Sequence, residues 1–183
     1  LRQCELKKPQ EIWIKVNTGM NRLGFHPDQF SYVYEVLDQI PQIKKPIIAM
    51  THFSDADETL SPLTRTQIQL FEKTIAGYPV KKSLANSAGI LNWPESFGDI
   101  IRPGIMLYGI SPFDQVFGIH HGLRPVMSLH SELMAVRTCQ RGDRIGYGGQ
   151  FVCPETMPVG VIAIGYGDGY PRHAPNGTPV LVA

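Results

Sequence analysis

Polar side chains that could move protons or bind phosphate stand where four apolar, strand-like runs of the sequence end. The four runs are Glu11–Asn17, Pro46–Ser54, Lys82–Ala88 and Asp99–Gly109. The groups at or just beyond their ends are Arg22, His52, Asn86 with Ser87, and Arg102. Arginine and histidine can donate hydrogen bonds or carry charge, while small residues in turns let backbone N–H groups approach an anion. A site that gathered all four sets could hold a phosphorylated ligand and do acid–base chemistry beside it.

Two helical segments separate the first three runs. Residues Pro27–Ile40 and Leu63–Gly77 carry apolar residues at helical spacing, with a proline at the start of the first and a glycine at the end of the second. The order β-α-β-α-β requires parallel strands and right-handed crossovers. In a parallel α/β barrel the loops after the strands converge on one face, where active sites are built. We therefore expect an α/β fold with four strands of a (β/α)8 TIM-type barrel.

The character of the sequence changes after Gly109. Residues Ser111–Arg124 are rich in glycine, histidine and proline and are typical of a linker. Strand-like runs separated by glycine turns follow, with no amphipathic helix: Val126–Thr138, Arg144–Val152, Val159–Gly165 and Thr178–Ala183. These features predict an all-β second domain. We expect a boundary near Gly122, with residues 1–122 in the barrel part and 123–183 in the β-strand domain.

Composition narrows the class of protein without naming an activity. The 183 residues are 43 % hydrophobic and 18 % charged, as in ordinary globular domains. A net charge of +1 gives no reason to expect nucleic acid or an anionic membrane as a partner. Three scattered cysteines favour a reducing compartment, so we expect a cytoplasmic protein. Neither CxxC nor HExxH occurs, and we expect no metal site.

The two ends predict an internal piece of a longer protein. Leu1 is not an initiator methionine, and the final residues GTPVLVA stop inside a strand-like run. Four barrel strands are also half of the eight that closure of a barrel requires.

Each candidate group has an ordinary structural alternative. Arg22 lies between two glycines in TGMNRLG, where a tight turn would aim it inward or simply expose it to solvent. A lone histidine at the end of a strand, such as His52, is more often a hydrogen-bonded structural residue. Asn86 and Ser87 suit a helix N-cap, a role compatible with phosphate binding. Arg102 and Gly104 follow the last run, where barrels commonly hold phosphate.

A further candidate lies in the β region, in the sequence IGYGDGYPR. Tyr166 stands between two glycines, which remove neighbouring bulk and let a phenol project from a tight turn. The same pattern occurs in ordinary β-turns, so this segment alone leaves both interpretations open.

Taken in order, these segments resemble one family. KVNTGMNRLG, THFSDAD, ANSAG, RPGIMLYG, GYGG and IGYGDGYPR closely resemble bacterial alanine racemases of the type III fold, over essentially the whole chain. The resemblance implies the last four strands of a barrel that binds pyridoxal 5'-phosphate (PLP), followed by the start of a C-terminal β domain. It also implies interconversion of L-alanine and D-alanine by two-base proton transfer at Cα, which supplies D-alanine for peptidoglycan.

The resemblance implies three catalytic roles. Tyr166 would be the acid or base on one face of the substrate, Arg22 would bond the phenolic oxygen of PLP, and His52 would contact Tyr166. Lys15 matches a lysine that is carbamylated in some members and then holds the arginine. The lysine to which PLP is attached would lie upstream of Leu1.

The resemblance also implies the cofactor contacts. Arg102 would face the pyridine nitrogen, and the phosphate would lie against Asn86, Ser87, Gly104 and Ile105. A homodimer with shared active sites would follow. Alternatives remain: a broad-specificity amino-acid racemase, a decarboxylase, a PLP carrier or a non-catalytic fragment. The β region from Val126 argues against the carrier, and GYGDGYPR argues against the decarboxylases.

Overall fold

The structure is a computed structural model, and it describes residues 8–182. The chain separates into two compact units, Leu1–Met127 and Ser128–Ala183. Within the described part, no helix has both the length and the apolar character needed to cross a membrane.

The first unit is built on a three-stranded parallel sheet. Its strands are β1 (Gln10–Lys15), β2 (Ile43–Met50) and β3 (Lys81–Ser83), in the order β1-β2-β3. Lys15 pairs with Met50, and Met50 pairs with Ser83, so the three strands end level with one another. The parallel pairing predicted for the first three runs is confirmed. The loops that follow these three strands therefore begin at the same edge of the sheet.

Three α-helices accompany the sheet: α1 (Phe30–Asp38), which follows a 3-10 turn at Pro27–Gln29, α2 (Leu63–Ile75) and α3 (Ser87–Asn92). Phe30 of α1 and Phe71 of α2 are buried with Ile14, Ile47 and other strand residues in one core. Burying a side chain of this size stabilises the fold by about 1.5–3 kcal/mol. Both long helices agree with the helical spacing in the sequence.

The prediction of a fourth strand at Asp99–Gly109 is wrong. Asp99–Gly109 is not a regular strand. Its first residues lie beside β3 as an extended segment, and a 3-10 helix follows at Ile105–Tyr108. Two backbone bonds attach it, from Ile100 N to Lys82 O and from Arg102 N to Ala85 O. Pro103 has no N–H to donate, so the ladder cannot continue past Arg102.

The segment predicted to be a linker lies in the first unit. Residues Ser111–Arg124 contain a 3-10 helix at Gly118–His121, which Gly122 ends with a φ of +69°. A left-handed residue at this position is favourable for glycine because it has no Cβ.

The described residues of the second unit contain four strands. β4 (Leu133–Cys139) pairs antiparallel with β7 (Met157–Ile162), and β5 (Arg144–Ile145) pairs with β6 (Phe151–Val152). The all-β character is as predicted, and no α-helix occurs among the described residues of this unit.

All four predicted strand bounds in this unit differ from the structure. The third run, Val159–Gly165, is a strand at Met157–Ile162. The first run becomes a strand only at Leu133. A 3-10 turn at Tyr147–Gly149 interrupts the second run, because Gly148 has a φ of +72°. The run from Thr178 forms no strand through Val182, because Pro179 removes a donor and no described strand pairs with it. Ala183 lies outside the described residues.

Candidate functional site

Four cationic or ionisable side chains meet at the carboxyl edge of the sheet. Lys15 ends β1, Arg22 lies in the loop that follows it, His52 follows β2, and Arg102 follows the extended segment beside β3. Burial, then Arg22 and Arg102, lower the pKa of the Lys15 amine. Burial, then the charge of Arg102, Lys15 and Arg22, lower the pKa of His52. The cluster therefore favours a neutral imidazole and an amine that gives up its proton more readily than usual.

Arg102 is the most firmly held member of this cluster. Its Nη1 donates to Ser83 Oγ at 2.6 Å, and its Nη2 donates to the carbonyl oxygens of Thr51 at 2.5 Å and Leu84 at 3.1 Å. Burial lowers the pKa of the guanidinium. An arginine nevertheless keeps its proton in proteins. Among the described residues these three bonds use three of its five N–H hydrogens, and two remain for a ligand.

His52 lies beside this arginine. Its Nδ1 is 3.5 Å from Arg102 Nη2. Because a guanidinium can only donate, an imidazole that carries no hydrogen on Nδ1 is the form compatible with this contact. The neutral imidazole that the pKa direction favours is thus also the form that suits its neighbour.

The loop Thr18–Gly24 folds back onto β1 and carries Arg22 at its exposed end. Phe25 N donates to Lys15 O, and Asn17 N donates to Phe25 O. A Cβ at Gly24 would lie 3.0 Å from Lys15 O, and its φ is +125°, so the turn requires glycine. Arg22 is exposed, within electrostatic range of Lys15. Its contact with a cofactor oxygen stays a prediction.

A second group of residues in the same unit forms an anion cradle. Asn86 caps α3, because its Oδ1 accepts from Gly89 N at 2.9 Å. Ser87 is buried, and its Oγ accepts from Gly104 N at 2.9 Å and from Met106 N at 3.3 Å. The start of α3 is thereby joined to the turn at Gly104 and the exposed Ile105.

The donors of this cradle fit a phosphate. The Ser87 hydroxyl accepts two bonds and keeps its hydrogen to donate. The first-turn N–H groups of Ser87 and Ala88 have no partner inside the helix. A Cβ at Gly104 would lie 3.7 Å from Ser87 Oγ and would narrow the cradle. Converging N–H and O–H donors at a helix start are a recurrent phosphate site.

Tyr166 belongs to the second unit. It opens a 3-10 turn at Tyr166–Asp168, is 62 % exposed, and lies beneath the Arg172 guanidinium, whose Cζ is 5.7 Å from the ring centre. It borders an open cavity of about 800 Å³ with Tyr170, Arg172 and other residues of the same unit. The phenol projects from its glycine turn.

Sequence reasoning missed a buried polar network that supports the first unit's site. Its members are Thr18, Thr51, Gln67 and Ser83, all of them buried. The sequence contains an indication of this network, because Gln67 occupies the same helical stripe as Ile68, Phe71 and Ile75. A glutamine at a core position of an amphipathic helix indicates buried hydrogen-bond partners.

Comparison with known families gives two adjoining matches. The family model described as alanine racemase, N-terminal domain, matches residues 1–112. The model described as alanine racemase, C-terminal domain, matches residues 126–183.

Individual relatives agree with these matches. An alanine racemase of Shewanella sediminis is 54 % identical over 177 residues, which cover 97 % of this chain and 49 % of the relative. An alanine racemase of Shewanella amazonensis is 50 % identical over 182 residues, covering 50 % of its own length. The chain thus spans about half the length of these curated relatives.

Solved structures show the same similarity. A biosynthetic alanine racemase from Pseudomonas aeruginosa superimposes with a TM-score of 0.89 at 38 % identity, over 97 % of this chain and 49 % of that one. An alanine racemase from Bartonella henselae, described with covalently bound pyridoxal phosphate, gives a TM-score of 0.64 at 26 % identity, over 88 % of this chain and 44 % of that one.

Proposed function

Because this chain belongs to the alanine racemase family, we propose that its protein interconverts L-alanine and D-alanine with pyridoxal 5'-phosphate. The observation that carries the proposal is the clamped guanidinium of Arg102 next to an anion cradle, both in the unit that matches the family's N-terminal domain. A PLP-bound relative, the Bartonella henselae enzyme, supports the choice of cofactor.

The cradle would hold the cofactor's phosphate. Ser87, the start of α3 and the N–H of Ile105 would supply the donors, and Gly104 would lie against the phosphate. Asn86 holds the start of the helix through its bond to Gly89 N. When bound, PLP supplies an electron sink that makes the Cα proton of an amino acid removable. The task of this chain's residues is to orient that ring and to move the proton.

Arg102 would hold the pyridine nitrogen. Its position is fixed by Ser83 and by the carbonyl oxygens of Thr51 and Leu84, so its remaining hydrogens point in a set direction. A guanidinium donates a hydrogen bond but not its proton, so the ring nitrogen would stay unprotonated. That weakens the electron sink, which favours simple return of the proton over transamination.

Racemisation needs an acid or base on each face of the substrate, and Tyr166 would serve one face. A phenol ordinarily titrates near pH 10, so a phenolate base needs neighbouring cations or donors. Arg22 and His52 are the candidates, and the cationic cluster around Lys15 supports that assignment. A lysine outside this chain would serve the other face.

Lys15 would help to hold Arg22. The lowered pKa of its amine gives it a larger neutral fraction than a free lysine, and the neutral amine is the form that can add carbon dioxide. The resulting carbamate would offset the positive charge of Arg22 and Arg102. Carbamylation of Lys15 is therefore part of the proposal.

Alanine would be the small-molecule substrate, and the working enzyme would be a homodimer. Tyr166 lies in a different unit from Arg102 and Ser87. We propose that each active site combines the first unit of one subunit with the Tyr166 of the other.

The test replaces Tyr166 by phenylalanine in the PLP-loaded enzyme. Racemisation is followed in both directions by circular dichroism. We expect a loss of about 10²-fold or more in kcat, the effect of removing an acid–base group, with unchanged PLP content. Tyr32→Phe, at an exposed tyrosine of α1, is the matched control and should retain full activity. Near-normal rates in Tyr166→Phe would rule out its role.

A further inference from the structure

One glutamine links the loops that carry the cationic cluster. Gln67 lies on α2, is 3 % exposed, and uses both ends of its carboxamide. Its Oε1 accepts from Ser54 N at 3.0 Å and from Ser54 Oγ at 3.2 Å. Its Nε2 donates to Thr18 Oγ1 at 3.1 Å and to His52 O at 3.2 Å. A side chain from the helix layer thus binds the loops after β1 and β2 at the same time.

These partners fix the orientation of the amide. The backbone N–H of Ser54 can only donate and the carbonyl of His52 can only accept, so the oxygen and nitrogen of Gln67 cannot exchange places. A carboxylate at this position would face the His52 carbonyl oxygen with a second acceptor. An apolar side chain would leave the groups of both loops without partners. Among common side chains, a primary amide alone satisfies all of them.

The hydrogen bonds beyond Gln67 also run in one direction. Thr51 Oγ1 donates to Val16 O at 3.0 Å, which uses its single hydrogen. The 2.7 Å bond between the hydroxyls of Thr18 and Thr51 must then be donated by Thr18. Thr18 in turn accepts from Gln67, so donation passes from the amide through two buried hydroxyls to the carbonyl of Val16, the residue after β1.

The loop that holds Thr51 also contacts the proposed active site. The carbonyl oxygen of Thr51 accepts a hydrogen bond from Arg102 Nη2. The carbonyl oxygen of His52, one residue later, accepts one from Gln67 Nε2. The imidazole of His52 lies 3.5 Å from Arg102 Nη2. A change in the position of residues 51 and 52 would therefore move the imidazole and loosen the guanidinium together.

We propose that Gln67 is a positioning residue, which fixes His52 and Arg102 by joining the loop at Thr18 to the loop at Thr51–Ser54. Its kinetic consequence rests on the proposed racemase function. Its structural consequence does not, because the hydrogen bonds exist in the chain itself.

The test compares two glutamines of the same helix in the PLP-loaded enzyme. Gln67→Met keeps the side-chain volume and removes the bonds, whereas Gln69→Met changes an exposed glutamine two residues away. We expect Gln67→Met to lower kcat in both directions about tenfold or more, with KM changed less than about twofold, because misplaced groups slow the reaction more than they weaken binding. Gln69→Met should behave as the unaltered enzyme.

A second measurement does not use activity. The titration of the His52 imidazole is followed by NMR of ¹³C-labelled histidine, with His52→Asn to assign the signal. In Gln67→Met the midpoint should move upward toward that of a free histidine, because the imidazole leaves its buried place beside Arg102. Equal midpoints and equal kinetics in the two methionine variants would overturn the proposal.

Two variants of Thr18 distinguish the effect of the hydrogen bonds from the effect of side-chain packing. They also test the proposal if Gln67→Met does not fold. Thr18→Val keeps the shape of the side chain and removes the hydroxyl, while Thr18→Ser keeps the hydroxyl. The valine variant should reproduce the change in kcat and in the His52 midpoint, and serine should restore both. Indistinguishable valine and serine variants would contradict the proposal. If the unaltered enzyme did not racemise alanine, the proposed function would fail, while the His52 titration would still decide the role of Gln67.

Discussion

Arg102 acquires its proposed role from the atoms that hold it. Arginine after a strand is common, and the residue type alone allows a solvated side chain. Here two backbone carbonyls and the Ser83 hydroxyl hold the guanidinium, and each belongs to β3 or to a loop after β2 or β3. The position of Arg102 could be predicted from the RPG sequence and the family resemblance. The role of Ser83 could not, because a serine in a strand of three residues gives no indication of its partner.

Replacing Arg102 tests whether it controls the ring nitrogen. Arg102→Glu introduces a group that can share or give a proton, so the electron sink should strengthen. We expect racemisation to slow and the transamination side reaction to increase, measured as pyruvate released from alanine. Arg102→Lys, which keeps the charge, is the comparison and should release less pyruvate. An unchanged yield of pyruvate in Arg102→Glu would argue against contact with the ring.

At the scale of elements, the sequence indicates helices and parallel strands well but misjudges where strands end. The apolar stripes of α1 and α2 extend over enough turns to specify helices, and the strand–helix alternation specifies parallel pairing. The apolar run Asp99–Gly109 predicts a strand, but the structure has only an extended segment there. Its pairing stops at Pro103. In α2, helical periodicity places Gln67 in the core but does not specify which loops it binds.

A glycine fixes how closely that extended segment approaches β3. A Cβ at Gly98 would lie 2.7 Å from Lys82 O, the atom that accepts from Ile100 N. Gly98→Ala should therefore push the segment away and move Arg102, at a cost of about 1–3 kcal/mol, typical of overpacking. We expect a lower free energy of unfolding in urea and weaker PLP binding.

The control for Gly98→Ala is Gly77→Ala. Gly77 has a φ of +83° and open space around its Cβ position, so alanine there costs about 1–2 kcal/mol through backbone strain only. It should lower stability without weakening PLP binding. Equal PLP affinity in the two variants would show that the close approach at Gly98 does not position Arg102.

At the scale of the whole molecule, the proposed site draws on both units. Arg102 and Ser87 lie in the first unit, which ends at Met127, and Tyr166 lies in the second. We propose that the domain boundary falls between the two family matches, near the Gly122 expected from the sequence. The order of the segments predicts both units, but no pattern in one chain specifies which subunit's Tyr166 completes a site.

Mixing two variants with lowered activity tests the shared site. In a dimer of Tyr166→Phe with Arg102→Glu, one site would combine an intact Arg102 from the first subunit with an intact Tyr166 from the second. We expect racemase activity to rise well above that of either variant alone once subunits exchange. No recovery, with exchange verified by native mass spectrometry, would place both residues in the same subunit's site.

The central claim is that this protein removes the Cα proton of alanine and returns a proton to either face. The most direct test incubates the PLP-loaded enzyme with L-alanine in D₂O and follows both circular dichroism and the Cα–H signal by NMR. The proposal predicts that the ellipticity of alanine decays to zero while deuterium enters Cα of the D-alanine formed. Deuterium exchange with full retention of L-alanine, or release of carbon dioxide in its place, would contradict the claim.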